Sequence, residues 1–121
     1  MRGWFVTAAI MGLLAVVLGA IGQHALQDME PHALGGFKTG AVFHMYHALA
    51  MGLAALAIRV SPVWAARAAW AFLAGIILFS GSLYLWAFTG LHVLGFTTPL
   101  GGLMLMIGWG LLAVAGWKAE V

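Results

Sequence analysis

Five histidines, His24, His32, His44, His47 and His92, are the side chains of this chain that change charge nearest neutral pH. His44 and His47 stand three residues apart, so on a helix they share one face. Imidazole is a common ligand for zinc and copper, and Met51, one turn beyond His47, is of a kind that suits Cu(I). These two histidines are thus the weak candidates for a metal, without a complete ligand set around them. An organic or quinone-type ligand is a second use for them. The ordinary alternative is a neutral histidine bonded to a Ser, a Tyr or a backbone carbonyl of another helix. Haem fits poorly, because His24 lies at a helix end and His47 lies deeper.

Ser80-Gly81-Ser82 with Tyr84 is the second polar group. A serine hydroxyl can bond to the carbonyl four residues earlier, which lets it sit in an apolar medium, and Gly81 allows close helix packing. Ser82 or Tyr84 could instead meet His47 and form a small polar pocket. The third group is Thr97-Thr98-Pro99 before Leu100-Gly101-Gly102. It predicts an N-cap at Thr98 and a first helical residue at Pro99, a positive helix end that could also receive an anion.

Catalytic sets are missing. The sequence has no cysteine, no HExxH, no glycine-rich nucleotide loop, no Ser-His-Asp arrangement and no acidic residue within an apolar span. An enzyme is therefore not indicated, and no cofactor can be named.

The surroundings of these residues follow from composition. Of 121 residues 64% are hydrophobic and only 7% charged, with a mean hydropathy of +1.07. Soluble domains carry about a quarter charged residues, so lipid must be the solvent for most of this chain. The net charge of +2 comes from scattered basic residues, with no run that could follow a nucleic acid. Apolar stretches long enough to cross a bilayer fall at about 4–22, 40–58, 63–88 and 99–117. Backbone groups in hydrocarbon must be satisfied within each span, so all four are helices. The first exceeds the core of a signal peptide. The expected fold is all-α: one membrane domain over 1–121, a four-transmembrane-helix bundle.

Basic residues set the expected orientation. Arg2, Arg59, Arg67 and Lys118 fall on one side, and Lys38 alone on the other, beside Asp28 and Glu30. The excess of positive charge marks the inside, which places both termini in the cytoplasm. Trp4, Trp64 and Trp117 mark the same interface, Trp86 the opposite one, and Trp109 falls near mid-span, where it packs between helices. All five histidines then belong to the outer half, with His44 and His47 about 9 and 14 Å beyond Lys38 along the helix.

The loops are short. Pro31 and Gly35-Gly36 are expected to break any helix through the first, and the third, from Thr89 to Thr98, is expected to rest against the bundle. Small residues four apart, such as Ala8 and Gly12 or Ala71 and Gly75, favour close backbone approach. A shift of 59 residues lays Gly36-Phe37-Lys38-Thr39 over Gly95-Phe96-Thr97-Thr98, and Gly22 over Gly81. Two duplicated helical hairpins would produce that pattern.

Several blocks together resemble a known family: LGAIGQHAL at 18–26, FKTG at 37–40, YHAL at 46–49, FSGSLY at 79–84, TPLGG at 98–102 and Gly108-Trp109. The chain is similar to the small membrane proteins grouped as domain of unknown function 423, related to mitochondrial transmembrane protein 256. The resemblance covers nearly the whole sequence. It implies four helices in a bacterial inner membrane and no established activity. It carries the family's polar residues onto His24, His47, Ser80, Ser82, Tyr84, Thr98 and Pro99. Where relatives often have Tyr-Gln, this chain has Phe43 and His44, which weakens His44 and with it the metal reading.

Two roles fit these residues. One is an accessory or structural component of the bilayer, docked on a larger membrane complex or on copies of itself. The other is binding or moving a small ligand (lipid, quinone or metal) through a polar pocket in the outer half.

Overall fold

A computed structural model of the chain describes residues 1–92 and 94–121. Five α-helices and one π-helical turn form four spans. They are α1 (Arg2–His24), α2 (Pro31–Ala57), α3 (Pro62–Gly75), the π turn (Ile76–Ser80), α4 (Gly81–Thr89) and α5 (Leu94–Trp117). The chain from Pro62 to Thr89 runs as one 28-residue helix, and all four spans are apolar enough to cross a membrane. The Arg59 Nε donates to Met1 Sδ at 3.1 Å, and the Glu120 amide donates to the Val60 carbonyl at 3.0 Å. Both termini and the loop before α3 therefore share one end of the bundle.

Two ends differ from the expectation. α2 starts at Pro31, not near Gly40, and stays helical through Gly35-Gly36. Proline at the first helical position is preorganised for a helix. The Glu30 carboxylate accepts the His32 and Ala33 amides, both at 2.9 Å. Those two bonds, His32 first, hold its pKa below the usual carboxylate range. The cap is therefore complete at neutral pH and is lost as acid protonates the carboxylate through that lowered value. Trp86 of α4 then lies against Gly36, close enough that a Cβ there would sit 3.2 Å from its ring. Tertiary contact outweighs the propensity of two glycines.

α5 likewise starts at Leu94, so Pro99 lies inside the helix and Thr98 is not its N-cap. The Thr97 and Thr98 hydroxyls both donate to the Leu94 carbonyl, at 2.9 and 3.0 Å. Pro99 has no N–H for the Gly95 carbonyl, a loss tolerated one turn from the helix end. The positive end that could receive an anion thus lies at Leu94 rather than at Pro99. Gly90, with φ +66°, ends α4 in the left-handed conformation that glycine adopts without a Cβ penalty.

Packing follows two hairpins, α1 on α2 and α3 on α5, with α2 also meeting α3, the π turn and α4. Without water to drive association, helices in lipid rely on close van der Waals fit. Between α3 and α5 that fit is a row of side chains set against glycines. Leu105 fills the space over Gly75, Phe72 lies on Gly108, and the backbone at Leu78–Phe79 lies on Gly101. A Cβ on Gly108 would come within 2.6 Å of the Phe72 ring. On the other hairpin Gly22 receives Phe37, whereas Gly81 faces open space. The two glycines matched by the 59-residue shift therefore play different parts.

Candidate functional site

Polar side chains pair at two places inside the bundle, and the π turn positions one of them. Ser80 is fully buried and donates to the Gly40 carbonyl of α2 at 2.7 Å. Tyr84, one turn on, lies over Gly40 and reaches His44, its hydroxyl 2.9 Å from the Nδ1. Ser82, two residues from Ser80, points the other way, its hydroxyl against that of Thr98 in α5; with one proton on each, either Ser82 donates to Thr98 in place of the Phe79 carbonyl or Thr98 donates to Ser82 in place of the Leu94 carbonyl. Ser80-Gly81-Ser82 therefore works as a two-sided tie, to α2 through Ser80 and to α5 through Ser82. His44, which the family pattern had devalued, is the histidine that Tyr84 meets. Its Nε2 is buried and has no hydrogen-bond partner among the described residues.

The second pair joins α2 to α5. The Trp109 Nε1–H donates to His47 Nε2 at 3.1 Å, and His47 Nδ1 lies 2.7 Å from the Phe43 carbonyl. An indole nitrogen only donates, so Nε2 must carry the lone pair and Nδ1 the proton. His47 is thus a neutral imidazole of one tautomer, with both nitrogens in use. A metal at His47 would have to displace the tryptophan. No group of three or more His, Asp or Glu side chains gathers among the described residues. Because α2 starts early, His47 lies about 24 Å along a helix of about 40 Å, past its middle. Trp109 is 46% exposed but rests on Phe72, with ring centroids 5.3 Å apart. It both packs between helices and meets lipid.

The remaining candidates lie apart. His24 ends α1 and is exposed, and it makes no hydrogen bond to His47 or Tyr84. Thr98, in contrast, lines a groove of about 690 Å³ at the end of the bundle away from the termini. Phe79, Leu83, Gly35, Gly36, Gly95, Trp86 and His32 line it. The Trp86 and His32 rings meet edge to face at 5.3 Å. Thr39 and Thr98 supply hydroxyls. Reading Gly35-Gly36 as a helix break hid this groove in the sequence. The signal was there in Pro31 at a helix start, which turns Gly35, Gly36 and Thr39 into one small-residue face.

Four apolar helices, polar groups paired inward and a groove opening between helix ends define a polytopic membrane protein. The family model described as "Protein of unknown function (DUF423)" matches residues 18–102, and the chain belongs to that family. It is 43% identical to the membrane protein YwdK of Bacillus subtilis (strain 168), over 98% of each chain. It is 37% identical to the inner membrane protein YgdD of Escherichia coli (strain K12), over 98% of this chain and 92% of that one. A membrane protein of Haemophilus influenzae is 37% identical over 93% of this chain and 91% of its own length. No solved structure matches the chain.

Proposed function

We propose that this protein holds one amphipathic lipid-class molecule, an acyl or prenyl chain with a small hydrogen-bonding head, in the groove between α2, α4 and α5. The observation that carries this is the groove itself. Its volume of about 690 Å³ is in the range of small-molecule sites, and its lining is mostly apolar with a few hydroxyls. The chain would lie over Phe79 and Leu83, and the head would sit near Thr39, Thr98 and the His32–Trp86 pair. Gly35 and Gly95 line the groove, and a Cβ at either would meet nothing within 4 Å. Gly35→Leu and Gly95→Leu should therefore fill it without disturbing helix contacts.

Native mass spectrometry of the gently extracted protein should show a stoichiometric lipid-class adduct. Both variants should lose it, while Gly110→Leu, at an open position outside the groove, should keep it. A bare wild-type protein, or an adduct that survives both substitutions, overturns the reading. The accessory role in a larger membrane complex would then remain.

The orientation belongs to the same proposal. Arg2, Arg59, Arg67 and Lys118 gather at the end that carries both termini, and Lys38 lies toward the other, which supports an inner-membrane protein with cytoplasmic termini. The groove would then open to the outer leaflet. The sequence has no cysteine, so single introduced cysteines report cleanly. In intact cells an impermeant maleimide should label Asp28→Cys and leave Val121→Cys unlabelled until lysis. The reverse pattern would invert the topology.

A further inference from the structure

Two helix starts border the groove between α2, α4 and α5, and their leading amides are spent. At α2 the His32 and Ala33 amides go to the Glu30 carboxylate, and the Leu34 amide goes to the Glu30 carbonyl. At α5 the Leu94 and Gly95 amides go to the Leu91 and His92 carbonyls. No Lys or Arg lines the groove among the described residues. Lys38, next to Thr39 in the chain, lines the cavity between α1 and α2 instead. His32 is the one lining side chain among the described residues that can carry positive charge, and a charge there faces the Glu30 carboxylate. An anionic head would find no unspent cation and none of these amides free, and an unmatched charge is costly to desolvate.

Acceptors, in contrast, are available. Gly95 and Pro99 stand four apart in α5, and both line the groove. Pro99 has no N–H, so the Gly95 carbonyl lacks the donor that a helix would give it. Thr98, also in the lining, spends its hydroxyl proton inside the protein, on Leu94 or on Ser82. Its oxygen keeps at least one lone pair. Thr39 of α2 is exposed and lines the groove, and its hydroxyl can donate or accept. A head that only accepts, such as a quinone or a phosphate, gives the Gly95 carbonyl nothing. A hydroxyl both gives a proton and takes one.

We propose, resting on the lipid-class reading of this groove, that it selects an uncharged alcohol head whose hydroxyl donates to the Gly95 carbonyl and accepts from Thr39. The free hydroxyls of a diglyceride and of a prenol present the same chemistry to it.

The test is native mass spectrometry of the full chain in detergent, with matched pairs of probes added in equal amount. One pair is dioleoylglycerol and its deoxy analogue, and the other is geranylgeraniol and the hydrocarbon without its hydroxyl. The alcohol should be favoured about fivefold, the worth of one hydrogen bond. The alcohol with the higher occupancy identifies the source. Pro99→Ala restores the amide that the Gly95 carbonyl lacks, so it should bring the ratio to about one without weakening α5. Equal binding within both pairs, a preference that survives Pro99→Ala, or displacement of the alcohol by equimolar phosphatidylglycerol overturns the alcohol head and leaves the groove a lipid site. No adduct with any probe, or adducts that survive Gly35→Leu and Gly95→Leu, overturns the groove reading and the alcohol head with it.

Discussion

Alanine at Gly101 should break the bundle, and alanine at the adjacent Gly102 should leave it standing. A Cβ at Gly101 would lie 2.6 Å from the Leu78 carbonyl carbon and 2.7 Å from the Phe79 Cα. These are backbone atoms of the π turn, so no rotamer change relieves the overlap. Helix α5 would have to lift off α3, parting Leu105 from Gly75 and Phe72 from Gly108. Overpacking a tight core costs about 1–3 kcal/mol, occasionally more, and a backbone clash belongs at the top of that range. Gly102 differs only in direction. Its Cβ would lie 3.7 Å from the Phe79 ring, an ordinary contact, and leaving glycine gains up to about 1 kcal/mol of helix propensity. Denaturant unfolding of both variants in the same detergent gives the comparison. Equal midpoints would mean that α5 does not approach the π turn as closely as described.

Replacing His47 should give the second large loss, and the loss should depend on Trp109. His47→Ala removes a 6% exposed ring packed against Phe72 and leaves the Trp109 N–H without its acceptor. Large-to-small core changes cost about 2–5 kcal/mol, and the lost hydrogen bond is part of that sum. Trp109→Phe keeps much of the ring and removes only the donor, for about 1 kcal/mol. In the Trp109→Phe background His47→Ala should then cost less, by about 0.6–1.7 kcal/mol, the range found for hydrogen bonds between membrane helices. Nitrogen-15 NMR of the histidine ring should also find the proton on Nδ1 and none on Nε2. A proton on Nε2, or strict additivity of the two substitutions, would sink the pairing.

The sequence carried the coarse architecture because hydropathy alone distinguishes membrane from water. Four apolar runs with a single charged residue, Arg67, among them could be nothing but spans, and four basic residues marked the end that the structure shows to hold both termini. It carried less of helix ends. Pro31, Gly35-Gly36 and Pro99 were read by local propensity, and each was overruled by a partner far along the chain or by a neighbouring side chain. Trp86 holds Gly36, Glu30 caps α2, and two threonine hydroxyls take up the Leu94 carbonyl. The π turn left no mark in the residues, since Ile76 to Ser80 reads as ordinary apolar helix. For the same reason the partners of the polar side chains were not legible. Ser82 or Tyr84 could each have met His47; Ser82 instead meets Thr98, and Tyr84 meets His44, one turn away from the histidine favoured by the family pattern. Spacing along one helix says which residues share a face, but not which neighbour that face will find.

The His47–Trp109 bond also has a history in time. Its two halves are 62 residues apart in the chain, and ribosomes add about 5–20 residues per second. For about 3–12 s of synthesis after α2 emerges, His47 must wait for α5 with no indole to bond. During that interval its lone pair is open to water, a lipid headgroup or the insertion machinery. The arrival of α5 is therefore what gives the imidazole its indole donor. Any delay in α5, or a chain truncated before Trp109, should leave α2 exposed to membrane quality control.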